Sequence, residues 1–216
     1  MLTAERRRLK SVPLPNGATL PKSFMTEAEF IEWAYSDEDI RAEWVAGEVV
    51  VMSPSSTDHD DLLIWLYSVL RPFVEHHDLG VIAGPSVAVR FASQKRRRLP
   101  DLMFVSKSRL SALKKAHFEG APDLIMEVVS PESQGRDWRA KYIEYEKAGV
   151  REYWIIDPVT QQMEVHTLKR GRYTPIVLGD DDALRSLVLD GFFLKPSQLW
   201  RKPLPKVIAM HKNLGI

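Results

Sequence analysis

The feature that most constrains this chain is a single carboxylate, Glu127, inside the apolar run LIMEVV at residues 124–129. In a strand, successive side chains point to opposite faces of the sheet, so Glu127 would share its face with Ile125 and Val129. Removing an unpaired carboxylate from water costs roughly several kcal/mol. The run therefore predicts a buried strand in which Glu127 is paired, binds a cation or borders a cleft, and each outcome indicates a site.

Composition narrows the class of protein. A chain of 216 residues is long enough for one well-buried domain, and we expect it over 23–200, between a flexible extension (1–22) and a C-terminal tail (201–216). A net charge of +1 gives no overall attraction for polyanions, so binding of nucleic acid would depend on local patches. Cysteine is absent, which excludes disulfides, thiolate ligands and thiol catalysis. No secretory or membrane-spanning segment is evident, and a cytoplasmic location is expected.

Periodicity and turn residues predict alternating helices and strands, which is typical of an α/β (α+β) fold. A capping box at Thr26–Glu29 begins the first helix, and Ala46-Gly47 joins a hairpin. Further helices are expected at 58–76, 108–117 and 132–149, the last ended by Gly149. Further strands are expected at 80–83, 87–91, 101–105, 153–156, 163–168 and 172–177, and a basic loop at 94–98.

Two Pro-Asp pairs, at Asp101 and Asp123, precede Glu127, and strand geometry separates them. Asp123 and Glu127 on one strand would be about 13 Å apart at a rise of ~3.3 Å per residue, too far to share a metal ion. If the strand after Asp101 runs antiparallel with Val105 facing Asp123, then Asp101 falls opposite Glu127. Opposed Cβ atoms lie roughly 4.5–5.5 Å apart, which is close enough for one divalent cation. Asp101 is therefore the better candidate ligand.

A lysine is the third group expected at such a site. The position two residues after Glu127, where an Asp/Glu-x-Lys pattern would place it, is Val129. On the following helix, Asp137 and Lys141 lie four residues apart and share one face. A helix packed over the sheet could bring Lys141 to the same solvent-accessible cleft. Two carboxylates and a lysine suit hydrolysis of phosphodiesters with Mg²⁺ or Mn²⁺, in which the lysine orients or helps to deprotonate the attacking water.

Each of these three residues also has a simpler interpretation. Asp101 could be a polar residue at the start of a strand. Glu127 could form a structural ion pair, and Lys141 could be its partner. Asp137 and Lys141 could form an exposed pair contributing only about 0.3–0.5 kcal/mol. Asp137 could otherwise support the site or cap its helix.

Other polar residues are weaker candidates. His59, near a predicted helix start, could be structural, could contact substrate or could support the site. Glu43, on the predicted hairpin, could be an additional acidic ligand. The run of Arg96, Arg97 and Arg98 could be a solvated loop, but its position just before Asp101 also favours contacts with phosphates, which position nucleic acid without reading its sequence.

Taken together, these motifs resemble the bacterial Uma-type family of restriction endonucleases within the PD-(D/E)xK nuclease superfamily. The matching parts, over roughly residues 24–200, are Pro100-Asp101, Glu127 to Pro131, Asp137 to Lys141 and Ala148 to Pro158, and upstream Glu43, Gly47-Glu48, Met52 to Pro54 and His59. One departure is Ser55, where the family commonly has a second proline.

The resemblance implies a restriction-endonuclease-like core, a mixed sheet flanked by helices. It implies that Asp101 and Glu127 are ligands of Mg²⁺ or Mn²⁺ and that Lys141 is a catalytic lysine moved from strand to helix. The expected activity is a metal-dependent endonuclease acting on DNA, and by analogy a homodimer. The alternative is a non-catalytic protein with a nuclease fold, used in nucleic-acid binding or regulation.

Overall fold

The computed structural model describes residues 24–36, 40–52, 54–130 and 136–216. The chain divides into two compact units, Met1–Pro54 and Ser55–Ile216. This division falls inside the one domain expected over 23–200, and the expected extension 1–22 lies outside the described residues.

The first unit contains one helix and one hairpin. Helix α1 (Glu27–Ala34) begins with the predicted capping box, in which Thr26 and Glu29 bond reciprocally. Strands β1 (Ala42–Val45) and β2 (Glu48–Val51) pair antiparallel. Their turn residues, Ala46 and Gly47, both have positive φ, the geometry that matches a two-residue hairpin to the twist of its strands. A small core unites helix and hairpin, and its buried members are Met25, Phe30, Ile40, Ala42, Trp44 and Val49.

The second unit is built on a six-stranded sheet of order β11-β10-β9-β8-β6-β3. Its strands are β3 (Gly80–Ala83), β6 (Leu102–Ser106), β8 (Leu124–Val128), β9 (Glu152–Asp157), β10 (Gln162–Lys169) and β11 (Arg172–Pro175). Only the β8–β9 pair is parallel, so the sheet is mixed, as expected. The helices are α2 (Thr57–His76), α3 (Tyr142–Ala148) and α4 (Val207–Asn213). Beside the sheet, β4 (Ala88–Phe91) pairs antiparallel with β5 (Arg96–Arg98) and parallel with β7 (His117–Glu119).

The two faces of β8 enter different cores. Leu124, Met126 and Val128 pack in a cluster with α2 and α4. Ile125, with the neighbouring Val129, packs in a second cluster with β4 and with Tyr145 of α3. Glu127 lies two residues after Ile125, on the same face of β8, and is almost fully buried. The predicted alternation of the strand is therefore confirmed.

The C-terminal residues belong to the packed interior. Helix α4 lies within 201–216, which the sequence led us to expect as a tail, and its Met210 and the following Leu214 are buried in the same cluster as α2. The Trp65 indole also donates to the Pro205 carbonyl at 2.7 Å. None of the described helices has the length and apolar surface that a bilayer crossing requires.

Two predicted elements were wrong. Residues 94–98 do not form a loop, because 96–98 are strand β5, which pairs with β4. Arg98 of this strand also forms an ion pair with Glu144 of α3. Residues 108–117 are not an α-helix but a 3₁₀-helix, Lys107–Ala112, that leads toward β7. The expected helix at 132–149 is described from 136 onward, as a π-helix, Arg136–Lys141, continuing into α3, and it ends at Gly149 in the left-handed conformation.

Candidate active site

The register of β6 and β8 places the two predicted acidic ligands opposite each other. Leu102 pairs with Met126 and Phe104 with Leu124 in antiparallel register. The same register, extended by one residue, sets Asp101 opposite Glu127 and Val105 opposite Asp123. The predicted strand pairing is therefore confirmed, and Asp123 is at the far end of β8 from Glu127.

Glu127 forms a buried ion pair with Lys141. Lys141 Nζ lies 2.8 Å from Glu127 Oε2, so the lysine reaches the carboxylate as predicted. The expected solvent-accessible cleft is wrong for this pair, because the two side chains are only 2% and 3% exposed. The other oxygen, Oε1, accepts a hydrogen bond of 2.8 Å from the Tyr145 hydroxyl. Both oxygens of a carboxylate buried in an apolar strand thus have a hydrogen-bonding or charged partner, which offsets the free energy of its removal from water.

Both partners of Glu127 come from one helical segment. Lys141 ends the π-helix and Tyr145 lies one turn later in α3, so their side chains project from the same face. π-Helical turns are frequently found at functional sites. Tyr145 had no predicted role in the site, although its spacing of four residues from Lys141 was a signal for a shared face.

Asp101 is held between the sheet and α2. Its Oδ2 accepts a hydrogen bond of 2.8 Å from the backbone N–H of Val128, the residue after Glu127. His59 Nε2 lies 3.3 Å from the same oxygen. The Asp101 side chain is 14% exposed, so it is the more accessible of the two predicted acidic ligands.

His59 occupies the first turn of α2, where its backbone N–H donates to the N-cap Ser56. Burial lowers the pKa of its imidazole, but hydrogen bonding and the charge of Asp101, followed by those of Asp60, outweigh burial, so the pKa is raised above its ordinary value. Raising this pKa favours the imidazolium, which would pair with the Asp101 carboxylate. His59 therefore lies beside a proposed ligand, and its role in the site stays a prediction.

The residues present fit a hard divalent cation such as Mg²⁺ or Mn²⁺, which prefers carboxylate and water oxygens. Mg²⁺ is commonly bound through one or two carboxylates, with waters and substrate phosphates completing its shell. Asp101 and Glu127 could supply two such carboxylates. Within the described ranges, no group of three or more His, Cys, Asp or Glu residues is arranged to hold a metal ion. Each carboxylate oxygen has two lone pairs, so an oxygen that accepts one hydrogen bond can also be a metal ligand.

Two weaker candidates remain, Glu43 and Asp137. Glu43 is buried on β1, opposite Val50, and belongs to the first unit. Asp137 lies in the π-helix, and its side chain is outside the described part of the structure. Their roles stay predictions.

The basic run forms an internal clamp on α3. The Arg98 guanidinium is 2% exposed and contacts both carboxylate oxygens of Glu144, at 2.8 and 2.9 Å. Arg96, which is 23% exposed, reaches the same carboxylate at 3.3 Å. Arg97 is also buried. Burial disfavours phosphate contacts by Arg97 and Arg98, whereas Arg96 remains accessible enough for this prediction to stand.

Asp123, the aspartate of the other Pro-Asp pair, is held by a backbone N–H and two arginines. Its Oδ2 accepts from the Ser106 N–H at 2.8 Å, and its Oδ1 lies 3.2 Å from guanidinium nitrogens of both Arg109 and Arg151. Burial raises the pKa of this carboxyl, but the bonds from Ser106 and the charge of Arg109 outweigh burial and hold the pKa below its ordinary value.

We expect Asp123→Asn to lower the free energy of unfolding by about 1–3 kcal/mol at pH 7. The substitution removes the negative charge and replaces one of the two carboxylate oxygens by an amide nitrogen, which cannot accept a hydrogen bond. A carboxyl with a depressed folded-state pKa stabilises above its unfolded pKa, and that stability is lost as the pH falls through the folded value. The difference between wild type and variant should therefore shrink below about pH 4, near the ordinary Asp pKa. Urea unfolding at several pH values tests this, and a constant difference would contradict it.

Comparisons with known proteins identify the fold and the family of this chain. A crystal structure from Anabaena variabilis ATCC 29413, described as a putative nuclease belonging to DUF820, matches with a TM-score of 0.67 and 19% identity, covering 82% of this chain and 97% of that one. At this identity the similarity establishes the fold. No curated protein is detectably similar. Residues 27–197 match the Uma2 family, described as "Putative restriction endonuclease". The chain, with its mixed sheet and its paired Asp101 and Glu127 strands, therefore belongs to the Uma2 family, which supports a nuclease function.

Proposed function

We propose that this protein is an endonuclease that hydrolyses phosphodiester bonds in DNA with Mg²⁺ or Mn²⁺. The observation that carries the proposal is the antiparallel register of β6 and β8, which sets Asp101 opposite Glu127 when it is extended by one residue, together with the Lys141 ammonium 2.8 Å from the Glu127 carboxylate. An acid pair and a lysine are the groups that this chemistry needs, and they come from two strands and a helix of one unit. A homodimer, which would provide two sites for cleavage of both strands, stays a prediction.

The roles of the side chains follow from their contacts. Asp101 and Glu127 would hold the cation, which when bound would polarise the phosphate and lower the pKa of a bound water. Because the Lys141 ammonium is only 2% exposed, a local rearrangement beside Glu127 would be needed before it could donate to the attacking water or to a phosphate oxygen. His59 and the Val128 N–H fix Asp101 from two directions, which limits the reorganisation needed when substrate binds.

One observation favours a second candidate function, a nuclease-fold protein that binds nucleic acid or a partner without catalysis. The ion pair of Glu127 and Lys141 is nearly enclosed, and such a pair can serve structure alone. In that case DNA would bind without being cut, and neither Mg²⁺ nor Mn²⁺ would change the outcome.

The two candidates differ in the expected behaviour of Asp101→Asn. With supercoiled plasmid, wild type plus Mg²⁺ or Mn²⁺ should produce nicked and linear DNA, and EDTA should prevent this. Asp101→Asn should cleave at least ~100-fold more slowly, because loss of a metal ligand removes several kcal/mol of charge stabilisation in the transition state. The measurement is the initial rate on gels, with a parallel RNA substrate to distinguish the nucleic acid.

Asp123→Asn is the matched control, because it makes the same substitution in the other Pro-Asp pair. It should retain cleavage at temperatures well below its unfolding transition. Equal loss in both variants, or wild-type activity in Asp101→Asn, would overturn the assignment of Asp101. DNA binding by wild type without cleavage would favour the non-catalytic alternative.

A further inference from the structure

Tyr145 combines complete burial with a hydrogen bond to the proposed metal ligand. Its side chain is 0% exposed, and its hydroxyl donates to Glu127 Oε1 at 2.8 Å. Burying a phenol hydroxyl lowers the stability of the fold unless the O–H donates a hydrogen bond. This makes the bond to Glu127 a feature that packing alone does not require, since phenylalanine would fill nearly the same volume.

The ring of Tyr145 is fixed by its aromatic neighbours. It meets Tyr153 of β9 edge to face, with centroids 5.0 Å apart and planes at 86°, and it contacts Phe91 of β4 at 5.7 Å. Edge-to-face pairs are a favoured arrangement of aromatic rings. A tyrosine has few rotatable bonds, so a fixed ring defines the position of its hydroxyl.

The Tyr145 hydroxyl and the Lys141 ammonium contact different oxygens of the Glu127 carboxylate. Tyr145 contacts Oε1 and Lys141 contacts Oε2, so together they determine the rotation of the carboxylate plane. We infer that Tyr145 is a positioning residue, which holds Glu127 so that Oε2 is directed to Lys141 and, in the reaction proposed above, to the divalent cation. This inference rests on the proposed function. Partners that orient metal-ligating carboxylates typically contribute 10–100-fold to metal affinity or activity.

The chain offers a matched control in Tyr173. This residue belongs to the same aromatic core and is also buried, but its hydroxyl donates to the Val150 carbonyl at 3.0 Å, not to Glu127. Tyr145→Phe and Tyr173→Phe therefore each remove one buried hydroxyl and leave the aromatic ring. Only the first change removes a contact with the proposed site.

The test compares wild type with the two phenylalanine variants in three measurements: Mn²⁺ affinity by calorimetry without DNA, kcat and KM for plasmid cleavage, and the thermal midpoint. Tyr145→Phe should weaken Mn²⁺ binding about tenfold and lower kcat about tenfold or more, with an unchanged KM for DNA. Tyr173→Phe should lower the thermal midpoint and leave Mn²⁺ affinity and kcat near wild type.

A fourth measurement, nitrogen-15 NMR of the lysine ammonium groups without metal, reports the Lys141–Glu127 pair directly. The Lys141 signal should change in Tyr145→Phe and not in Tyr173→Phe. Wild-type Mn²⁺ affinity, kcat and Lys141 signal in Tyr145→Phe would overturn the inference and leave the proposed function intact. A wild type that neither binds Mn²⁺ nor cleaves would overturn the proposed function, and with it the metal-directing role of Tyr145.

Discussion

Replacing Lys141 by methionine should lower the free energy of unfolding by about 3–5 kcal/mol and abolish cleavage, because it removes the described counter-charge of the buried Glu127 carboxylate. Both side chains are at most 3% exposed, so water cannot replace the lost ammonium without a local rearrangement. Urea unfolding followed by fluorescence measures the stability, and plasmid cleavage with Mg²⁺ measures the activity. Tyr145 would remain as the described hydrogen-bond donor to Oε1.

The double variant Glu127→Gln/Lys141→Met separates folding from chemistry. Replacing both members of a buried ion pair by neutral groups of similar volume is often nearly neutral, so the double variant should regain most of the stability that either single variant loses. It should remain inactive, because both proposed active groups are absent. Single variants that each cost less than about 1 kcal/mol would show that the pair is solvated. Recovery of cleavage in the double variant would contradict the proposed roles of both residues.

Replacing Arg98 by methionine should destabilise the protein by about 1.5–3 kcal/mol and reduce cleavage, because Glu144 loses its buried bidentate partner and keeps only the more exposed Arg96. Glu144 lies on α3 beside Tyr145, and the same helical segment carries Lys141. Loss of this clamp should therefore displace the two groups that hold Glu127. The reduction should appear in kcat, since the substitution disturbs the reacting groups and not an exposed DNA surface.

Arg96→Met is the matched control within the same run. Its guanidinium is 23% exposed and lies 3.3 Å from Glu144, so its removal should cost at most about 1 kcal/mol. If a residue of the run contacts phosphate instead, its loss should weaken DNA binding across all sequences and reduce the salt dependence by about one unit. An Arg98 variant with unchanged stability and this salt effect would contradict the clamp.

Much of the site could be predicted because strand geometry is local and regular. Alternation placed Glu127 on one face of β8, and the antiparallel register placed Asp101 opposite it. Gly149 ended its helix as expected, because glycine readily adopts the left-handed conformation found there. The basic run was wrong as a predicted loop, because local charge predicts solvent exposure whereas Glu144, the partner of Arg98, is 46 residues away along the chain.

The sequence by itself determined the α/β class, the buried strand with its one carboxylate and the position of Lys141 on a following helix, whereas Asp101 was placed opposite Glu127 only on an assumed register. The first three follow from periods of two and of 3.6 residues, which any short window of sequence carries. Only the tertiary structure decided that Lys141 and Tyr145 share the carboxylate of Glu127, that His59 contacts Asp101, and that Arg98 fixes α3 through Glu144. Such contacts join residues distant along the chain, and their geometry depends on how helices pack on the sheet, which no local period encodes.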